Sequence, residues 1–195
     1  MKFGYADPPY PGRAYYYKDH PDFAGEVDHA ALINRLVDEF PDGWALSTAS
    51  SALYQILPLC PAKVRVMAWV KPFCSFKPGI NPAYAWEPLL VVGGRKRTRE
   101  QTTVRDWTAC NITLKKGLTG VKPYDFCAWL FDVLGMTPED DLADLFPGSG
   151  AVSTAFEMWK VGGPVPKERR DVKTQKASLA VPEEFRSTPK GGKSE

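Results

Sequence analysis

Apolar positions along the chain follow two alternating spacings: short continuous runs, and longer stretches in which apolar residues recur every three or four positions. Residues 3–6 read as a buried strand that ends at Asp7. In residues 28–40, Leu32, Leu36, Val37 and Phe40 fall on one helical face, with Asp28 placed as the N-cap. Residues 44–48 form the next strand, and 50–57 a helix that stops before Pro58. Residues 64–70 and 89–92 read as two further strands, separated by a loop containing Pro72, Pro78, Gly79 and Pro82. Pro123 opens a run whose face carries Phe126, Cys127, Leu130, Phe131 and Leu134, and Gly135 closes it. Residues 141–146 make a short strand that feeds Pro147-Gly148-Ser149-Gly150 and a helix over 151–159. This order predicts an α/β fold with a mostly parallel sheet and helices on both faces.

The 195 residues are 44% hydrophobic and 25% charged, a profile that excludes disordered and fibrous classes. A domain of this length buries roughly 70% of the surface of its unfolded chain, so no disulfide or metal framework is needed. Cys60, Cys74, Cys110 and Cys127 show no CxxC pairing, and with only His20 and His29 besides, no metal site is expected. Reduced thiols and a cytoplasmic location follow. The longest apolar runs are far too short to span a bilayer, and the first ten residues lack the apolar core of a signal peptide. His20 and His29 read as surface or capping residues.

The net charge of +2 conceals an uneven distribution. Residues 1–163 carry 17 Lys and Arg against 18 Asp and Glu, whereas 164–195 carry 8 against 5. That basic tail is rich in Pro, Lys, Ser and Gly and lacks helical periodicity, which predicts a largely flexible segment. The body over 1–163 is the predicted folded domain, with a basic insertion at about 93–118. There, Arg95, Lys96, Arg97, Arg99, Arg105, Lys115 and Lys116 face only Glu100 and Asp106, which makes either a solvated loop or a phosphate-contacting one.

Two motifs sit at predicted carboxyl ends of strands, where α/β sheets bind ligands. In Asp7-Pro8-Pro9-Tyr10, two prolines stiffen the backbone, so Pro8 offers a carbonyl in fixed geometry beside a carboxylate and an aromatic ring. Such an acceptor pair beside a stacking surface suits an exocyclic amino group on a flat ring, although a stiffened turn with Tyr10 as packing would look the same. In Asp144-Leu145-Phe146-Pro147-Gly148-Ser149-Gly150, glycines allow close backbone approach and a helix N-terminus favours an anion; a tight connection is the plainer alternative.

Together, and in this order, the motifs resemble the S-adenosylmethionine-dependent adenine-N6 and cytosine-N4 DNA amino-methyltransferases. The likeness is to the permuted arrangement, with DPPY near the N-terminus and the FxGxG loop near the C-terminus. It covers roughly residues 3–160 and includes Trp69-Val70-Lys71-Pro72, Trp86-Glu87-Pro88-Leu89-Leu90-Val91 and Val121-Lys122-Pro123. It implies a Rossmann-like methyltransferase fold and an adenine-specific DNA methyltransferase, with cytosine N4 or RNA as alternative targets. A noncatalytic nucleic-acid-binding subunit on the same fold is the alternative of a different class. The resemblance makes Asp7, Pro8, Pro9 and Tyr10 catalytic. It assigns S-adenosylmethionine to Asp7, Lys122, Pro123, Asp144, Phe146, Gly148, Ser149 and Gly150. Nucleic acid falls to Arg13, Tyr16 and the basic insertion, with Tyr15, Tyr17 and Trp107 as further stacking or packing residues.

The chain departs from this family pattern after the cofactor helix, where relatives have a strand bearing an acidic residue for the cofactor ribose. Here residues 178–181 are the nearest strand, a candidate sheet edge with Glu183 as the ribose ligand. A homodimer or partner subunit is one way to complete the cofactor site; the length leaves no room for a separate target-recognition domain, so the chain either reads few bases or reads them through residues 72–120. Stand-alone modification enzymes of this family occur in phages and in restriction-modification systems.

Overall fold

The computed structural model describes residues 1–17, 25–74, 78–112 and 121–162, with the side chains of residues 16 and 17 excluded. Six strands form one sheet: β1 (Lys2–Ala6), β2 (Gly43–Ser47), β3 (Arg65–Val70), β4 (Trp86–Gly93), β5 (Trp107–Ala109) and β6 (Asp141–Asp144). Their order is β5-β3-β4-β2-β1-β6. β1 pairs in parallel with β2 and β6, and β3 with β5, while β4 runs antiparallel to both β2 and β3. The sheet is therefore mixed, with β4 alone reversed. An apolar run carries no sign of direction, so 89–92 could be read as a strand without revealing its orientation. β4 also begins three residues earlier than expected, taking in Glu87 and Pro88. β5 lies within the basic stretch and escaped notice because three residues are too few to show a period.

Helices α1 (His29–Glu39), α2 (Leu53–Ile56), α3 (Tyr124–Leu134) and α4 (Ala151–Lys160) cover both faces. α1 starts where expected, because the Asp28 carboxylate accepts a hydrogen bond from Ala31 N at 3.0 Å. α2 is shorter than the expected 50–57 helix. Residues 50–52 and 57–59 on either side wind more tightly, as 3-10 turns, and Pro58 sits in the second of these instead of ending the segment. The face expected for α3 is the one it buries, and Gly135 ends the helix in the left-handed region at φ 66°.

The alternation of β1 divides its residues between two cores. Phe3 and Tyr5 join Trp69, Leu89, Phe126, Leu130, Phe131 and Phe156 under α3 and α4. Ala6 joins Leu32, Ile33, Leu36, Phe40, Trp44 and Leu46 under α1 and α2. Cys127 is buried in the first core, which pushes its thiol up to about 12 and leaves it inert. Among the described residues no helix is long and apolar enough to cross a membrane.

Gly4 marks a close approach between strand and helix, because a Cβ there would lie 2.6 Å from Cδ2 of the buried Phe40 ring. Gly4→Ala is expected to cost about 1–3 kcal/mol through overpacking, read as a lower urea midpoint at unchanged slope. An unaltered midpoint would contradict this packing.

Candidate functional site

The directions of the strands decide which side chains meet. Because β4 runs against the others, its first residues lie at the edge where β1, β3 and β6 end. Asp7 follows β1, Lys71 follows β3, Asp144 ends β6 and Glu87 opens β4. Lys122 joins them from the segment before α3, where Pro123 is the N-cap residue.

A chain of alternating charges links these groups. Lys122 Nζ lies 2.8 Å from Asp7 Oδ2 and 3.6 Å from Glu87 Oε2. The other Glu87 oxygen accepts from Lys71 Nζ in a short charged hydrogen bond, and the Tyr10 hydroxyl lies beside the same carboxylate. The Lys122 side chain is only 5% exposed, against 22% for Asp7 and 21% for Glu87. The ammonium also sits 5.4 Å from the Trp69 ring centre and 5.8 Å from that of Phe126. Beside it, the buried Tyr5 hydroxyl pairs with Ser47 Oγ at 2.9 Å.

Burial and charge pull these groups in opposite directions. Burial opposes the charged form of Lys122, but Asp7, Tyr10, Tyr5 and Glu87 outweigh it and hold the ammonium well above its usual range. For Asp7 burial wins, raising the carboxyl above its ordinary value despite Lys122. Glu87 is also penalised by burial, yet Lys122, Lys71 and its hydrogen bonds bring it below the usual range. Lys122 is paired through Oδ2 of Asp7.

The glycine segment adjoins this cluster because β1 and β6 are parallel neighbours, with Tyr5 opposite Asp144 and Leu145 N donating to Tyr5 O at 2.9 Å. Residues 139 positions apart thus end side by side. Asp144 accepts from Phe146 N at 3.2 Å, and Gly150, at φ 69°, turns the chain into α4. No side chain caps α4, so its N-terminus keeps N–H groups without a side-chain partner. At the same edge, the buried Thr48 hydroxyl has no hydrogen-bond partner.

Arg95 and Arg97 are not brought to this edge. β4 carries Arg95 to the opposite one, where its guanidinium binds both Asp140 oxygens at 2.7 and 2.8 Å and Gly135 O at 3.0 Å. Asp140 also takes the Met1 ammonium at 2.7 Å. Arg97 donates to Thr102 O and Asp132 O, so both arginines tie loops to α3. Lys96 and Arg99 are exposed in the same loop, and Arg105 stacks over Trp107, whose ring is 43% exposed. Arg13 lies just past Tyr10, its N–H donating to Tyr10 O. Ser149 is exposed on the glycine turn. His29 turns its ring to Val27 O, consistent with a capping position. Lys115, Lys116, Glu183, His20 and the side chain of Tyr16 lie outside the described residues, as does the tail over 164–195.

Lys71 and Glu87 carry no role in the motifs as read from the sequence. Their signal was present in Trp69-Val70-Lys71-Pro72 and Trp86-Glu87-Pro88, a basic and an acidic residue each beside a buried apolar run. Only the antiparallel pairing of β3 with β4 shows that they meet.

The fold is a mixed α/β sheet covered on both faces, with a ligand-type edge formed by a charged cluster and a glycine turn. Among solved structures, one titled as the M1.HpyAVI-SAM complex shares this fold, with a TM-score of 0.53 and 15% identity over 82% of this chain and 78% of that one. No protein-family model matches the sequence, and no curated protein does.

The Asp144 carboxyl is pushed up to about 6, first by burial and then by the nearby Asp7 charge. A carboxyl whose folded pKa exceeds its unfolded one loses stability as pH rises between the two. Carboxyl-carbon NMR should place its midpoint near 6, and Asp144→Asn should stabilise the fold at pH 8 but not at pH 4. A midpoint near 4 would contradict this environment.

Proposed function

We propose that the chain is an S-adenosylmethionine-dependent DNA methyltransferase that modifies the N6 amino group of adenine. The observation that carries this reading is the meeting of Asp7-Pro8-Pro9-Tyr10 with the Asp144–Gly150 turn at neighbouring strand ends. The fold shared with a structure titled as a SAM complex supports it. The family resemblance of DPPY favours adenine over cytosine.

The residues present suit the cofactor's charges. The uncapped N–H groups of α4 fit a carboxylate, and Asp144 and Asp7 fit cationic groups, with Lys122 and Pro123 alongside. Phe146, Gly148, Ser149 and Gly150 form the turn that admits the cofactor closely. When bound, S-adenosylmethionine supplies an electrophilic methyl group on a sulfonium.

Asp7 Oδ1 and the Pro8 carbonyl accept hydrogen bonds from the adenine amino group, while the Tyr10 ring stacks on the base and Pro9 holds the turn rigid. The amino nitrogen is a poor nucleophile because its lone pair is delocalised into the ring. Acceptors fixed where positive charge develops stabilise the transition state without moving at the moment of reaction. Alignment of the nitrogen with the methyl group supplies much of the remaining acceleration. A base in duplex DNA leaves the stack at a cost of a few kcal/mol, which pocket contacts offset. Arg13, Lys115 and Lys116 are the basic residues assigned to phosphate on this reading, since each is close in sequence to a site residue. Glu183 keeps its role as ribose ligand within this proposal.

Protein incubated with methyl-labelled S-adenosylmethionine and unmethylated DNA should yield N6-methyladenine on nucleoside mass spectrometry. Asp7→Ala should lower transfer by about 100- to 1000-fold or more with circular dichroism unchanged. A folded, DNA-binding protein that transfers no methyl group would leave only the noncatalytic subunit.

A further inference from the structure

The transfer chemistry uses Asp7 and leaves Glu87 without a task, although Glu87 has more charged and polar partners than any other acidic residue at this edge. Its carboxylate receives Lys71 on one oxygen, approaches Lys122 with the other, and lies beside the Tyr10 hydroxyl. It is also a partly buried anion, 21% exposed, and a charge withdrawn from water needs partners. We propose that Glu87 is a positioning residue of the transfer site, which holds the Tyr10 ring and offsets the charge of Lys122 so that Asp7 presents an undiminished acceptor to the amino group. This rests on reading Asp7 as the amino-group acceptor.

Methyl transfer moves positive charge onto the amino nitrogen, and Lys122, 2.8 Å from Asp7, opposes that charge if Asp7 is its only counter-ion. Glu87, 3.6 Å from the same ammonium, shares it. Lys71 in turn keeps Glu87 ionised, so two cations and two carboxylates balance across the site. The Tyr10 hydroxyl lies beside the same carboxylate, so one side chain neighbours both the stacking ring and the ammonium that pairs with the acceptor. Removing Glu87 would leave Lys122 uncompensated and bound harder to Asp7.

Glu87 and Lys71 move Asp7 in opposite directions. Glu87 raises the Asp7 carboxyl and Lys71 lowers it, within a surrounding made of Lys122, Tyr5, Tyr10, Asp144 and Cys127. Carboxyl-carbon NMR of the ligand-free protein should therefore show the Asp7 midpoint falling in Glu87→Gln and rising in Lys71→Met. In the enzyme, Glu87→Gln should reduce kcat by about 10- to 100-fold while KM for DNA changes little, and the acid limb of the kcat profile should move to lower pH. A role limited to packing would lower the melting temperature and leave the limb and the Asp7 midpoint where they are. Asp7 midpoints that do not separate in the two variants would overturn the proposal, as would Glu87→Gln at wild-type kcat. Absence of methyl transfer by the wild-type protein would overturn the functional reading instead, while the ligand-free titration would still decide whether Glu87 and Lys71 act on Asp7.

Discussion

A lysine ammonium taken out of water must be paired, and the burial of Lys122 organises this structure around that requirement. Its side chain is 5% exposed, and the carboxylates that satisfy it come from the end of β1 and the start of β4. Neither could reach it if the strands were ordered or directed otherwise. Truncating one member of such a cluster is costly because the remaining charges stay buried and unpaired. The charged cluster therefore ties this edge of the sheet to the packing of α3, whose aromatic residues enclose the same ammonium.

The reversal of β4 has two effects at opposite ends of the sheet. It delivers Glu87 to the edge where Asp7 and Lys71 end, and it carries Arg95 away to the edge where β1 and β6 begin. The basic stretch that sequence reading assigns to nucleic acid is thereby divided. Arg95 and Arg97 serve the fold by tying β4 and the following loop to α3 and Asp140. Counting charges along the chain gives their density but not the edge on which they emerge.

Much of the architecture was legible for local reasons. Apolar spacing located β1, β2, β3, β6, α1, α3 and α4, and Asp28 and Gly135 stand at helix ends for capping reasons that depend on nearest neighbours alone. The charge chain was not legible, because it depends on which strands are neighbours. Asp7 and Asp144 attracted attention as members of motifs, whereas Glu87 sits in no motif with a stated role. What assigns it a place is the register that sets it opposite Trp69 and next to Lys71. The functional reading likewise rests on juxtaposition: two motifs, each compatible with an ordinary turn, become a site when parallel pairing of β1 with β6 sets them side by side.

The most direct test is a structure of the protein bound to S-adenosylmethionine's demethylated product and an adenine-containing oligonucleotide. The account predicts the exocyclic nitrogen of one unstacked adenine within about 3 Å of Asp7 Oδ1 and the Pro8 carbonyl. It also predicts that Lys122 remains between Asp7 and Glu87. An adenine bound elsewhere, or an Asp7 occupied by Lys122 through both oxygens with no contact to the base, would contradict it.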